Sequence, residues 1–285
     1  MSTARNQLYT DYKCTVSKDW LSFIYSNKDN WDLLLQGGCS FDILRFQDHE
    51  LSCILRISTS DLEKMNEVVP QIKRLNFTFS ETNGFEVGRF GGVDSASNIM
   101  TFFQQSSKAI LKLFLDHDDE LMYEDILSIA VFMGKVYFKT MSIEQKRQKE
   151  CLALYYNHWG DFLPRDINLT TIQASYSEEV GILKTLEQVS PIHSWSEALK
   201  NHFEIWALTT NNLVLNLKNL QTQKLIAQRP VEFHYKKSES KRSNLLEIYN
   251  DCFHFIMNKL GVNNEDEALV IYLISALMEV SLEDV

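Results

Sequence analysis

The period of the apolar pattern changes at Gly91-Gly92. Upstream, apolar residues recur every second position in short runs. Downstream, they recur at three and four positions for most of the remaining chain. A two-residue period belongs to a half-buried strand and a 3.6-residue period to an amphipathic helix. A chain that changes once, early, folds as a small sheet followed by many helices. The strand-like runs are "WLSFIY" (20–25), "FDILRF" (41–46) and "LSCILRI" (51–57), and the last two read as a hairpin across "QDHE". A second hairpin is expected over 77–90 with Asn83-Gly84 at its turn. Between the hairpins, 60–76 reads as a helix capped by Ser60 or Asp61, striped by Leu62, Met65, Val68 and Val69, and kinked or ended by Pro70. After Gly92 come helical segments at 93–117, with Asp94 or Ser95 as cap, then 123–142, 177–190, 194–226, 243–261 and 265–281. The expected fold class is α+β, with a small N-terminal antiparallel sheet of hairpins and a helix-rich bundle. We read one unit over 1–285, sheet-rich at 15–92 and mainly helical at 93–285, with no internal repeat.

Composition excludes several functions. The 285 residues are 45% hydrophobic, enough for a sizeable core, and 10 Gly with 4 Pro leave little room for linkers. The net charge of −10 argues against nucleic acid, whose phosphates need clustered cations. The nearest basic cluster, 235–244, is broken by Glu239 and reads as a solvated loop. Cys14, Cys39, Cys53, Cys151 and Cys252 are odd in number and widely spaced, without C-x-x-C. That pattern fits neither a disulfide framework nor a zinc site. The N-terminus lacks the apolar core of a signal peptide, and no run of 18 apolar residues offers a membrane span. These features predict a reduced, cytoplasmic protein, in which the sequons at Asn76 and Asn168 carry no meaning.

Common catalytic motifs are missing. "GRFGG" lacks G-x-G-x-x-G spacing and follows a predicted hairpin, so its glycines read as a turn into a helix, not a phosphate cradle. There is no P-loop, no H-E-x-x-H and no G-x-S-x-G. His117 lies in the acidic run "DHDDE", whose spacing matches no metal loop.

Three segments together resemble one family, the glutamate-elimination domain of class I lanthipeptide dehydratases, also found as freestanding thiopeptide-biosynthesis proteins. The family carries R-Y/F-x-D followed by H-L-R-L-R. Here Arg45, Phe46, Asp48 and Arg56 match within "LRFQDHELSCILRI". Its second signature, E-x-x-R-Y-G-G leading to F-x-x-D-S, is matched by Glu86, Arg89, Phe90, Gly91 and Gly92, then Phe103 and Ser107. Its third, H-M-x-x-N-R-L, is matched by His254, Asn258 and Leu260. The departures are Ser52 for the histidine and Ile54 for the first arginine of H-L-R-L-R, Gly88 for the acid before the signature arginine, Ser106 for the aspartate, and Lys259 for the last arginine.

The resemblance implies that Arg56 and Arg89 bind anions, that Glu86 orients an arginine, and that His254 transfers protons. It places Ser52, Ile54 and Asn258 against substrate. The parent activity expels glutamate from a glutamylated Ser or Thr, leaving dehydroalanine or dehydrobutyrine. The sibling activity is pyridine synthesis. There two dehydroalanines and a backbone amide undergo a formal 4+2 cycloaddition, with loss of water and the leader peptide. The replacements at Ile54, Ser52 and Gly88, together with the freestanding length, favour the pyridine synthase. Elimination is the alternative, and a non-catalytic leader-binding scaffold is a third. In each case the partner is a ribosomal precursor peptide with a leader, with other pathway enzymes as further partners. If the leader is acidic, Lys236, Lys237, Lys241 and Arg242 supply a basic patch. Neither chemistry requires a cofactor or metal. A homodimer stays open.

Overall fold

The computed structural model describes residues 9–16, 19–47, 51–58, 70, 72–80, 87–116, 121–140, 145–159, 196–228 and 244–278. The sheet comprises β1 (Tyr9–Thr15), β2 (Phe41–Gln47), β3 (Leu51–Ser58) and β4 (Thr78–Ser80). Their order is β2-β3-β1-β4, and the pairings are antiparallel. Two short helices, α1 (Trp20–Ser26) and α2 (Lys28–Gln36), connect β1 to β2. The helical part comprises α3 (Val93–Asp116), α4 (Tyr123–Thr140), α5 (Gln145–Trp159), α6 (Glu197–Thr222), α7 (Asn244–Leu260) and α8 (Asn264–Leu277). The architecture is the α+β arrangement that the change of period predicts.

Helix α3 is the spine. Its apolar residues Ile99, Phe102, Phe103, Ile110 and Phe114 are buried, and it packs on β2, α6 and α7. Two serines tie it to its neighbours. Ser106 Oγ accepts from Trp206 Nε1 on α6 at 3.1 Å. Ser107 Oγ accepts from the Ile43 amide at 2.9 Å and donates to Asp42 Oδ1 at 2.8 Å. Helix α7 lies against α3, α4, α5 and β2. Trp20 on α1 donates through Nε1 to the Lys259 carbonyl near its end, at 2.9 Å.

Several local expectations need correction. Residues 20–25 are helical, not a strand. Asp19 caps α1 by accepting from the Ser22 amide, and the buried pair Trp20 and Ile24 has helical spacing. Only the ends of the hairpin expected over 77–90 lie in the described residues. β4 pairs with β1, and residues 87–90 are a turn. The Asn83-Gly84 turn lies outside the described residues, as do residues 60–69, the segment at 177–190, His117 and the basic cluster up to Ser243. Residues 70 and 72–74 are helical, and the part of the expected helix before Pro70 lies outside the described residues. Ser95 sits inside the first turn of α3 and donates to the Phe90 and Gly92 carbonyls instead of capping an amide. β1, α2 and α5 have no counterpart in the expectations from sequence. α5 opens on the charged "QKRQKE", which hides its apolar second half.

Candidate active site

The site is assembled on α7. Residues 251, 255 and 259 recur at four-residue intervals and face the sheet and α3. Residues 254 and 258, one position back, face α5 and α8. One helix thereby collects three polar clusters.

The first cluster is carried by the turn that precedes α3. Gly91 and Gly92 have φ of +81° and +105°, which side chains rarely adopt. A Cβ on Gly91 would sit 2.7 Å from Ile226 Cγ2, and the Gly91 carbonyl accepts from the Ala227 amide at 2.7 Å. These glycines allow a sharp turn beneath another segment, as expected from sequence. The turn presents Arg89, whose guanidinium forks onto Asp251: Nε to Oδ2 and Nη2 to Oδ1, both 3.0 Å. Arg89 also lies over the Phe255 ring, 5.1 Å from its centroid, and Phe90, Phe103 and Phe255 pack against one another. Glu86, assigned to orient an arginine, lies outside the described residues.

The second cluster lies at the sheet. Arg56 on β3 stands in register between Asp11 on β1 and Asp42 on β2. It forks onto Asp11, Nε to Oδ1 and Nη2 to Oδ2, both 2.8 Å, with Arg56 6% and Asp11 4% exposed. Lys259 Nζ donates to Asp42 Oδ1 at 2.5 Å and to the Ile43 carbonyl at 2.6 Å. Burial lowers the Lys259 ammonium from its ordinary value; Asp42 opposes that and Arg56 adds to it. Two aspartates and two cations thus neutralise one another inside the protein. Ser52 and Ile54 alternate onto the same face of β3 as Arg56, with Ser52 buried and Ile54 half-buried. The structure does not bring either into hydrogen-bonding contact with Arg89, His254 or Asn258.

The third cluster contains His254. Its Nδ1 lies 2.9 and 3.0 Å from the two oxygens of Glu267, on α8. Its Nε2 lies 3.0 Å from Asn258 Nδ2, one turn along α7. The Tyr155 hydroxyl, from α5, donates to Glu267 Oε2. The Trp159 ring stacks on the imidazole with centroids 4.5 Å apart. Arg45 is close by, donating to the Val262 carbonyl at 3.1 Å and to Asn263 Oδ1 at 3.2 Å. Burial lowers its guanidinium from the ordinary value, while Tyr123 and Glu267 act in the opposite sense.

Exposure divides these groups. Asp251, Lys259, Glu267, Asp11 and Asp42 are buried. Arg89, His254, Phe255 and Asn258 are half-buried. Together these four carry an imidazole, an amide, an aromatic ring and a guanidinium paired with Asp251. Sequence reasoning brought forward Arg89, His254 and Asn258 but missed Asp251, Glu267, Tyr155 and Trp159. A lone acid or aromatic on a helix carries no pattern. For Glu267 and Tyr155 the one available signal was a polar residue at a position facing the core. Among the described residues, no group of three or more His, Cys, Asp or Glu is placed to hold a metal ion, and no helix is long and apolar enough to cross a membrane.

Residues 44–278 match the family model described as lantibiotic biosynthesis dehydratase C-term. No curated protein matches the chain. Solved structures do. The tRNA-dependent lantibiotic dehydratase MibB from Microbispora sp. 107891 aligns with 96% of this chain at 14% identity and a TM-score of 0.60. The chain spans 28% of that protein. The pyridine synthase TbtD from thiomuracin biosynthesis aligns over 94% of this chain and 96% of its own, at 9% identity and a TM-score of 0.57. TsrL aligns over 95% and 94%, at 14% identity and a TM-score of 0.56. At these identities the likeness is one of fold.

Proposed function

The chain belongs to the lantibiotic biosynthesis dehydratase C-terminal family, and from that premise we propose that it is a pyridine synthase of thiopeptide maturation. It acts on a leader-bearing precursor peptide that contains dehydroalanine. The observation that carries this reading is the pairing of Arg56 and Arg89 with the chain's own buried carboxylates, Asp11 and Asp251. A glutamylated substrate brings a carboxylate that seeks a cation. To reach Arg56 it must displace Asp11 and leave that aspartate buried without its partner. Removing one partner of a buried ion pair costs about 3–5 kcal/mol, and the new pair only replaces the one lost. The site is therefore poorly suited to glutamate.

Pyridine formation asks for less charge. Two dehydroalanines must be held within bonding distance while one amide passes to its iminol form. The aromatic wall of Phe255 positions the unsaturated side chains. His254 takes the amide N–H proton at Nε2 and delivers it to the amide oxygen, which later departs as water, and Asn258 hydrogen-bonds the peptide. The leader departs as the ring aromatises.

The test is a mass measurement. The purified protein is mixed with a leader-bearing peptide containing azoles and dehydroalanines, and separately with a glutamylated peptide. Leader release with a new ultraviolet-absorbing macrocycle is expected. Glutamate loss from the second peptide, without change in the first, would establish elimination instead. Binding with no conversion of either would leave a scaffold. His254→Ala is expected to abolish conversion while the far-ultraviolet circular dichroism stays unchanged.

A further inference from the structure

We propose that Glu267 and Tyr155 are positioning residues that hold His254 as the Nδ1–H tautomer, leaving Nε2 as the basic atom that meets the peptide. The proposal rests on the reading of His254 as the proton-transfer group. It adds two residues from two other helices that no sequence motif singled out.

The donor and acceptor inventory fixes the assignment. A carboxylate only accepts, so the Nδ1 that lies 2.9 and 3.0 Å from the Glu267 oxygens carries the hydrogen. The Asn258 Nδ2 group only donates, so the Nε2 that it approaches at 3.0 Å carries the lone pair. The two contacts agree on one tautomer, although they come from different elements. Tyr155 donates its hydroxyl hydrogen to Oε2 of the same carboxylate and so gives Glu267 a second anchor. The Trp159 ring, stacked at 4.5 Å, keeps the imidazole from turning over. Burial supports a role beyond shape. Glu267 is fully buried, whereas the His254 side chain is 13% exposed, so the acid reaches substrate through the histidine.

The arrangement serves both halves of a proton transfer. When Nε2 takes a proton from the peptide, Nδ1–H stays on Glu267, whose charge faces the new imidazolium. Asn258 Nδ2 releases the Nε2 lone pair as the peptide N–H arrives, and the turned amide then presents Oδ1 to the new Nε2–H. When the proton is returned, the amide turns back. The ring is satisfied in each state, and no group other than the peptide and the imidazole exchanges a proton.

The experiment uses the full chain with 15N-labelled histidine. Long-range proton–nitrogen correlation spectra report the tautomer, and the His254 signal is identified by its loss in His254→Gln. The expected wild-type pattern is Nδ1–H with unprotonated Nε2; an Nε2–H pattern would overturn the proposal. Glu267→Gln is expected to give mixed tautomers and to lower kcat about a hundredfold, the low end for loss of a tuned proton-transfer group, with KM unchanged. Tyr155→Phe should shift both readouts in the same direction by less. Unchanged tautomer and unchanged kcat in both variants would also overturn it. If Glu267→Gln fails to fold, the wild-type spectrum still decides. An Nδ1–H spectrum in a protein that converts no peptide supports the positioning and sinks the functional reading. An Nε2–H spectrum in an active protein does the reverse.

Discussion

At the scale of single residues, the cations of this chain serve the fold before they serve a ligand. Arg56 and Asp11 sit nearly dry, joined by two 2.8 Å bonds. Arg56→Met is expected to cost about 3–5 kcal/mol, because it strands a buried aspartate. The double variant Arg56→Met with Asp11→Leu should regain most of that loss, since the desolvation cost disappears with the pair. Urea unfolding of the three proteins checks this, and a single variant as stable as the wild type would contradict the burial. A second residue-scale effect concerns pH. Burial lowers His202 below its ordinary value of 6.5, with Lys112 and Lys108 adding to the effect. Between the two values the unfolded chain binds the proton and the folded chain does not. Stability therefore falls as pH drops from 6.5 through the lowered value. His202→Gln should flatten this part of the profile relative to wild type. Parallel profiles for the two proteins would show that His202 titrates alike in both states.

At the scale of elements, periodicity was a good guide to existence and a poor guide to partners. The change at Gly91-Gly92 located α3, and long apolar stripes located α4, α6, α7 and α8 within a few residues of their ends. Short segments misled. "WLSFIY" satisfies a period of two and of 3.6 at once, and the Asp19 cap with the Trp20 and Ile24 pair decides for helix. The family resemblance placed His254, Asn258 and Lys259 correctly on one helix. It had no access to their acids, because Asp251 meets a residue 162 positions away and Asp42 one 217 away. A single acid in an amphipathic helix looks solvated until its neighbours are known. The same holds for Lys259, which stands at a family arginine position and proves to be a buried partner of Asp42. An ammonium has three donors, and here two are given to Asp42 and the Ile43 carbonyl, so the end of α7 is joined to β2 by a group that reads as surface in sequence.

At the scale of the molecule, these pairs join parts of the chain that a sheet-then-helices layout would allow to separate. Trp20 donates to the Lys259 carbonyl, Lys259 holds Asp42, Ser107 bridges Asp42 to α3, and Arg89 holds Asp251. Breaking the Asp42–Lys259 contact while the packing around each group held would leave both charges buried and unpaired. Such an intermediate carries a charge penalty of several kcal/mol, with little chain entropy in return. We therefore expect the sheet and the C-terminal helices to unfold together. The cysteines supply the readout. Cys53 lies on β3 and Cys252 on α7, and both are buried thiols outside any disulfide. Burial raises the Cys53 thiol, with Cys14 adding to the effect, so it stays unreactive while the fold holds. In rising urea, labelling of Cys53 and of Cys252 should begin at the same concentration, coincident with loss of tryptophan fluorescence and of helical circular dichroism. Labelling of Cys53 well before Cys252 would mean that the sheet detaches first. The buried ion pairs would then be too weak to couple the two parts. Cys53→Ser and Cys252→Ser single variants identify which thiol reacts, and their own midpoints control for any loss of stability.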